Sequence, residues 1–308
     1  MIALWHKDSK SSELQVEGKA PTQNQLFASK YSMISTGTER LIACGTVDQT
    51  FHEKMKVPYQ AGNFNFPIKY GYSLIVEDEK GNYGHIMHPH QDEIDVSKAS
   101  IFWARENITP TRFALISNME TVLNAIWDSE LQGDETIAIC GFGNIGALLA
   151  NTLRIHKGIE ASIIEKNPWR IDKAISLEWK VVESGVYDII FHTTATESGL
   201  QFCINHLTFE GKLIEMSWYG SKKINLELGR EFHYNRLKLI SSQVSNIPGH
   251  MKSLHTYDSR KKLAFEILKN DSFEALITHK IPFRDTPAFF NKLRVGDEDD
   301  GLIYLIEY

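Results

Sequence analysis

Cysteine is scarce in this sequence. Only Cys44, Cys140 and Cys203 occur, scattered and odd in number, and none forms a C-x-x-C pair. A disulfide framework is thereby excluded, and a reducing, cytoplasmic setting is expected. Long apolar runs are missing too: nothing approaches the roughly 18 residues of a membrane span. The opening stretch, MIALWHKDSKSSELQ, carries charge within seven residues and has no apolar h-region, so no signal peptide is expected. Basic residues form no block, and the net charge is −6. That argues against nucleic acid or an anionic membrane as the main partner. Neither an internal repeat nor a low-complexity segment is visible. What is present is a chain of 308 residues, 42% hydrophobic and 23% charged, long enough to bury a full core in one large domain or two.

The most specific local signal is CGFGNIGALLANTLR, residues 140–154, which holds Gly141, Gly143 and Gly146 in the order G-x-G-x-x-G. The motif is informative only between a strand and a helix. Upstream, ETIAIC (135–140) has strand length and composition; downstream, ALLANTLRI (147–155) is rich in helix formers at helical spacing. A second strand, ASIIEK (161–166), then ends in Glu165, 24 residues after Gly141. That is close to the spacing of a carboxylate that binds ribose hydroxyls, and a carboxylate there would repel a 2′-phosphate. NAD is therefore favoured over NADP, although Lys166 and Arg170 weaken the preference. Gly141, Gly143, Asn144, Ile145 and Gly146 would cradle the pyrophosphate at the helix start, with Glu165 and Lys166 at the ribose. The alternative is a glycine-rich turn with no ligand.

Strand-like runs continue at WKVVE (179–183), YDIIFHTT (187–194), GKLIEMS (211–217) and LKLISS (237–242), with a helix over 197–207. Six strands with helical crossovers predict one doubly wound parallel sheet. Ligands lie at the carboxyl ends of such strands, which makes Thr193, Thr194, Ser217 and Trp218 candidate cofactor contacts. The residues before this unit read differently. MIALWH, ELQVEG, QLFASKYSMIS and YSLIVEDEKGNYGHIMH are short strands separated by turn residues, as in a small antiparallel barrel. DEKGNYG (78–84) is an expected hairpin turn. The tail offers helices over 257–269 and 286–294, the run ITHKIPF and a last strand, LIYLIEY, a segment able to return to the first domain. The expected division is 1–117, 118–245 and 246–308.

YSMISTGTERL (31–41), FPIKYGYSLIVED (66–78), METVLNAIWD (119–128), the glycine motif, GKLIEMSWYG (211–220) and LITHKIPFRDTPAFF (276–290) together resemble the medium-chain dehydrogenase/reductase family, the zinc-type alcohol dehydrogenase-like proteins. SMISTGTE and KYGYS are similar to the subgroup that includes bacteriochlorophyllide 3-hydroxyethyl dehydrogenase. The resemblance covers essentially the whole chain. It implies an α/β fold: a GroES-like antiparallel β-barrel domain plus a Rossmann doubly wound parallel sheet. It also implies a small-molecule substrate and a homodimer paired through LKLISS.

Zinc-dependent members take their metal from a Cys in a C-x-[ST]-D-like segment, a His in a G-H-E segment and a later Cys. In this sequence those segments read Thr36-Gly37-Thr38-Glu39 and Gly71-Tyr72-Ser73, and the third position falls near Ser117 or Asn118. Thiolate and imidazole ligands are gone, so no zinc is expected. His88, His90 and Asp92 alternate and would share one face of a strand. They offer a metal site outside the family pattern, a proton carrier or substrate contact in His88 or His90, with His90 taken as the catalytic candidate, or a polar rim of exposed or hydrogen-bonded histidines. Without zinc a substrate oxygen must be polarised by hydrogen-bond donors. The resemblance puts the Thr38 hydroxyl beside that oxygen, while Leu41 replaces the relay histidine. Tyr72 stands where a metal ligand would, either as a donor whose lowered pKa also lets it give a proton or as a filler of vacated volume. Two functions stay open: a zinc-independent NAD(P)(H)-dependent oxidoreductase acting on an alcohol, carbonyl or conjugated small molecule, and a non-catalytic dinucleotide-binding protein on a decayed dehydrogenase scaffold.

Elemental analysis of protein purified without added metal is expected to give far less than one zinc per chain. A stoichiometric metal removed by chelators together with activity would overturn that expectation and point to His88, His90 and Asp92.

Overall fold

The computed structural model describes residues 1–18 and 24–308. Its elements begin with β1 (Ile2–His6), β2 (Ser12–Val16), β3 (Gln25–Ile34), α1 (Thr36–Ala43), β4 (Ala61–Gly62), β5 (Ile68–Lys69), β6 (Leu74–Glu77), β7 (Tyr83–Ile86), β8 (Glu93–Val96), β9 (Phe102–Trp103) and α2 (Pro110–Phe113). The middle of the chain carries α3 (Ile116–Ser129), β10 (Ile137–Cys140), α4 (Asn144–Thr152), β11 (Ser162–Ile164), α5 (Pro168–Ser176), β12 (Tyr187–His192), α6 (Glu197–Asn205), β13 (Leu207–Glu215) and β14 (Lys238–Ser241). Last come α7 (Tyr257–Leu268), β15 (Ile277–Pro282), α8 (Thr286–Val295) and β16 (Ile303–Glu307). Two units form. The first joins Met1–Ser117 to Ile277–Asp299 and Ile303–Tyr308, and the second holds Asn118–Leu276 and Asp300–Leu302. Residues 246–276, expected with the returning tail, group with the second unit.

The second unit is built on a parallel sheet in the order β11-β10-β12-β13-β14. Every residue of β10, Ile-Ala-Ile-Cys, is buried, as a strand covered on both faces requires. The strand expected over 179–183 is reduced to a single bridge between Ile163 and Val181. Lys180 and Val182 each exchange one backbone hydrogen bond with Ile163, and the chain then departs through the polar Glu183-Ser184-Gly185. With that bridge counted, the order is the 3-2-1-4-5-6 of a dinucleotide-binding sheet.

The first unit has two sheets. One runs β15-β16-β3-β6-β7-β9, with β8 also pairing β3, and the other runs β2-β1-β5-β4. All pairs are antiparallel except β15 with β16. The long β3 is the organiser, since it pairs with β16 from the tail as well as with β6 and β8. Phe27, Leu74, Val76, Ile86 and Ile94 pack on one side, while Ile34, Phe290, Leu293, Tyr304 and Ile306 make a second cluster. In the hairpin between β6 and β7 the Asp78 carboxylate accepts the Lys80 and Asn82 backbone N–H groups at 3.0 and 2.9 Å. The expected continuous strand through His88, His90 and Asp92 is absent. β7 ends at Ile86 and β8 starts at Glu93, with Pro89, which cannot donate to a ladder, between them. Among the described residues no helix is long and apolar enough to cross a membrane.

The glycine motif is tight where strand and helix meet. Gly141 has φ +104°, and a Cβ on it would lie 2.6 Å from Thr193 Oγ1. A Cβ on Gly146 would overlap the Gly141 carbonyl oxygen. Gly146→Ala is therefore expected to cost about 3 kcal/mol or more, because backbone rather than a flexible side chain must move. Urea unfolding reads this directly, and a wild-type midpoint would contradict the close approach of helix and strand.

Candidate active site

Gly143 differs from its two companions. It is the N-cap of α4, and a Cβ there would meet nothing closer than the Arg170 guanidinium, 3.5 Å away. The space above the start of the helix is thus open, a cradle that a side chain would fill, where backbone N–H groups and the helix dipole favour a phosphate. The Arg170 Nε is buried without a protein partner, and its positive group lies beside this opening. Glu165 braces the turn from the next strand. Its Oε2 accepts the Phe142 N–H at 2.7 Å, and its Oε1 accepts those of Lys166 and Asn167 at 2.7 and 3.0 Å. Three of about four acceptor positions on the carboxylate are occupied. Lys166 is exposed and Ile145 half-buried. Asn144 turns inward, where its Oδ1 accepts from Asn118 at 3.2 Å.

At the carboxyl ends of β12 and β13 a second polar set assembles, and sequence reasoning missed its centre. His192 is wholly buried; its Nδ1–H donates to Glu215 at 2.7 Å, and its Nε2 accepts the Thr194 hydroxyl at 2.6 Å. Glu215 also accepts the Ser217 backbone N–H at 2.7 Å and the Tyr219 hydroxyl at 3.1 Å. Ser217 Oγ accepts the Ala195 N–H at 3.0 Å, and Thr193 Oγ1 donates to the Cys140 and Gly141 carbonyls. Thr193 is therefore the residue that ties this edge to the glycine turn, whereas Thr194 and Ser217 are engaged inside the network. Trp218 is half-buried just beyond β13. A single signal pointed here: His192 and Glu215 are polar strand ends that directly follow the apolar runs Ile189-Ile190-Phe191 and Leu213-Ile214.

In the first unit Tyr72 and His90 take different roles from those expected. Glu39, in the first turn of α1, accepts the Ser35 backbone N–H at 2.8 Å and pairs with His90 Nε2 at 2.8 Å. Both side chains are closed to solvent, at 1% and 0% exposure. With Nε2–H given to the carboxylate, Nδ1 is the acceptor. It takes the Ser32 hydroxyl at 2.7 Å, and Ser32 in turn bonds Tyr308 at 2.9 Å. His90 thus has both nitrogens committed in the interior, and the expected direct substrate contact is corrected to a supporting role. The Tyr72 phenol is also corrected: burial, and then the charge of Glu39, push its pKa well up, against the pull of the Ser35 and Thr38 hydroxyls. It is a neutral hydrogen-bond donor and not a readily ionised acid.

His88, His90 and Asp92 diverge. His88 Nδ1 donates to the Pro89 carbonyl at 2.9 Å, and burial pulls its pKa down to about 4, so it is neutral near pH 7. Asp92 accepts the Ile2 N–H at 2.6 Å. Among the described residues no three His, Cys, Asp or Glu side chains converge as metal ligands. At the positions that hold zinc in the resembled family, Ser117 Oγ donates to the Tyr72 carbonyl at 2.9 Å and Ser73 Oγ donates to the Ala114 carbonyl at 2.6 Å. His85 Nε2 lies 3.1 and 3.2 Å from these two hydroxyls. One imidazole among hydroxyls and a protonated phenol falls short of the three protein ligands a catalytic zinc takes, and these residues do not fit that metal.

Several solved dehydrogenases share this fold. The chain is similar to 2R,3R-butanediol dehydrogenase from Bacillus subtilis (TM-score 0.73, 16% identity, 100% of this chain and 99% of that one). It is similar to L-idonate 5-dehydrogenase from Escherichia coli (0.74, 12%, 100% and 98%). A third likeness is to an alcohol dehydrogenase from Escherichia coli solved with NADH (0.72, 12%, 100% and 99%). No protein-family model matches the sequence, and no curated protein matches it either. At these identities the likeness establishes the architecture: a parallel dinucleotide-type sheet combined with largely antiparallel sheets.

His90→Phe would leave the Glu39 carboxyl buried beside an apolar ring. A loss of about 3 kcal/mol is expected, measurable as a lowered urea midpoint. An unchanged midpoint would mean that the pair contributes nothing to stability.

Proposed function

We propose that the chain is a zinc-independent NAD(P)(H)-dependent oxidoreductase acting on an alcohol, a carbonyl or a conjugated small molecule. The observation that carries this is the open cradle at Gly143, framed by two glycines that cannot accept a side chain and faced by the Arg170 guanidinium. The names of the compared structures, dehydrogenases of a diol and of a sugar acid and one complex with NADH, support it. In this reading the first unit is the GroES-like barrel domain.

The backbone N–H groups at the start of α4 would hold the pyrophosphate, with Arg170 beside them. Glu165, at the ribose, disfavours a 2′-phosphate, so NAD(H) is the favoured cofactor and NADP(H) the second choice. The bound nicotinamide supplies or removes the hydride. Tyr72 and Thr38 offer O–H groups to the substrate oxygen, and burial, joined by the Glu39 charge, keeps the phenol protonated, so that it donates a hydrogen bond without ionising. The same negative charge makes an anionic group at that oxygen unfavourable, which suits a neutral carbonyl or alcohol. We further infer a homodimer, because β14 is the outer strand of its sheet and presents an exposed Leu239.

Fluorescence titration should show NADH binding, tighter than NADPH. A panel of ketones, aldehydes, enones and quinones should then reveal turnover. Tyr72→Phe is expected to lower that turnover by about 10²–10³ and to leave NADH affinity nearly unchanged. Absence of dinucleotide binding overturns the proposal. Binding with no turnover across the panel selects the alternative, a non-catalytic dinucleotide-binding protein.

A further inference from the structure

Val57, Pro58, Tyr59 and Gln60 form a turn closed by the Gln60 N–H on the Val57 carbonyl at 3.3 Å. Pro58 suits its second position. Tyr59 stands third, with φ +59°, a place that turns of this kind give to glycine or asparagine. A bulky side chain there is strained. Burial offsets little of that strain, since Tyr59 is 44% exposed. What the turn fixes is the ring, whose centroid lies 5.0 Å from that of the His88 imidazole at a tilt of 32°. Backbone strain of this kind persists where it serves a site.

The imidazole is the other half. His88 is only 6% exposed. Its Nδ1 carries the proton, because the Pro89 carbonyl at 2.9 Å can only accept. Burial keeps the ring neutral, with its pKa pulled down to about 4. Nε2 is therefore a lone-pair acceptor. It has no hydrogen-bond partner among the described residues, and it is not sealed from the surface. Of the two alternating histidines, His90 has both nitrogens committed and His88 has one open. We propose that Tyr59 and His88 form a binding site for a neutral aromatic ring that carries an O–H or N–H group: the ring packs on Tyr59, and its donor bonds His88 Nε2. An anion does not suit the site, since an acceptor cannot bond an acceptor and a neutral imidazole lends no charge. A cation gains little either. Glu17, tied to this stretch through Lys69 and Gln91, already takes Lys69 Nζ at 2.7 Å and the Trp5 Nε1–H at 2.9 Å, while Lys69 meets Gln91 Oε1 at 2.9 Å. The site lies within the first unit and holds whether or not the chain is an oxidoreductase.

The test titrates the full chain by calorimetry with 2-naphthol, its methyl ether 2-methoxynaphthalene, and 2-naphthoate. The naphthol should bind about threefold to tenfold more tightly than the ether, the range of one neutral hydrogen bond. The naphthoate should bind no better than the ether. His88→Phe keeps a ring in place and removes the acceptor, so naphthol and ether should bind that variant within about twofold of each other. Tyr59→Gly should weaken naphthol binding about threefold to tenfold, the worth of one aromatic contact. The same change should raise the melting temperature, since glycine adopts the turn without strain. A nitrogen-15 histidine label in the wild-type chain gives a reading that needs no variant: the His88 Nε2 resonance should shift with naphthol and not with the ether. Equal wild-type affinity for naphthol and ether, a preference that survives His88→Phe, an unmoved Nε2 resonance, or no naphthol binding up to its solubility limit overturns the site. So does a Tyr59→Gly variant with a lowered melting temperature and unchanged naphthol affinity, which would make the ring a packing element only.

Discussion

A carboxylate shut away from water dictates the arrangement of the first unit. Glu39 sits in the opening turn of α1, where the helix dipole favours negative charge, but burial without partners would cost several kcal/mol. One partner is local, the N–H of Ser35 four residues back, and the other is distant, His90 from the segment between β7 and β8. Through His90 the constraint extends to Ser32 inside β3 and to Tyr308 beyond β16. Four segments are thereby locked in register by hydrogen bonds that cannot be exchanged for water. Burial holds the Tyr72 phenol protonated, and the Glu39 charge of this cluster adds to that.

The second unit repeats the device with other residues. Glu215 faces His192, His192 faces Thr194, and the backbone of Ser217 and the hydroxyl of Tyr219 complete the carboxylate. In both units a carboxylate fixes the tautomer of a fully buried imidazole, and the other ring nitrogen then fixes a hydroxyl. In each unit that hydroxyl is closed off by a second one. Thr194 meets Thr196 at 2.8 Å, so the second set holds the loop after β12 beside the glycine turn. Ser32 meets Tyr308 at 2.9 Å, so the first set ties β3 to the last residue of the chain.

The sequence made some of this legible and hid the rest for definable reasons. Gly141 and Gly146 are readable because close approach, joined at Gly141 by a left-handed backbone, leaves no room for a side chain, while Gly143 is readable through its spacing from them, and the flanking strand and helix obey local periodicity. The helices at 257–268 and 286–295 follow from the same periodicity. The alternation of His88, His90 and Asp92 misleads, since Pro89 removes the strand on which alternation has meaning. WKVVE has strand composition, yet only Val181 pairs; composition measures propensity, and the polar residues that follow end the ladder. Glu39 and His90 are 51 residues apart, and no periodic pattern couples them. The direction of the Tyr72 shift is likewise invisible in sequence, because it depends on burial and on a charge brought in by a different element.

These features together limit the chemistry that the site can assist. A zinc ion polarises a carbonyl with a full charge and contributes several kcal/mol to the developing oxyanion. One preorganised neutral donor contributes roughly 3–4 kcal/mol, and Tyr72 cannot add much by transferring its proton outright, since Glu39 opposes formation of the phenolate. A reaction that builds a localised alkoxide would therefore be poorly served by this set of hydroxyls. One in which the negative charge is spread over a conjugated system, as when hydride adds to an enone or a quinone, asks less of any single donor. On the proposed oxidoreductase reading, the hydroxyls at the family's ligand positions and the elevated Tyr72 pKa favour the same substrates, those whose own conjugated system carries the developing charge.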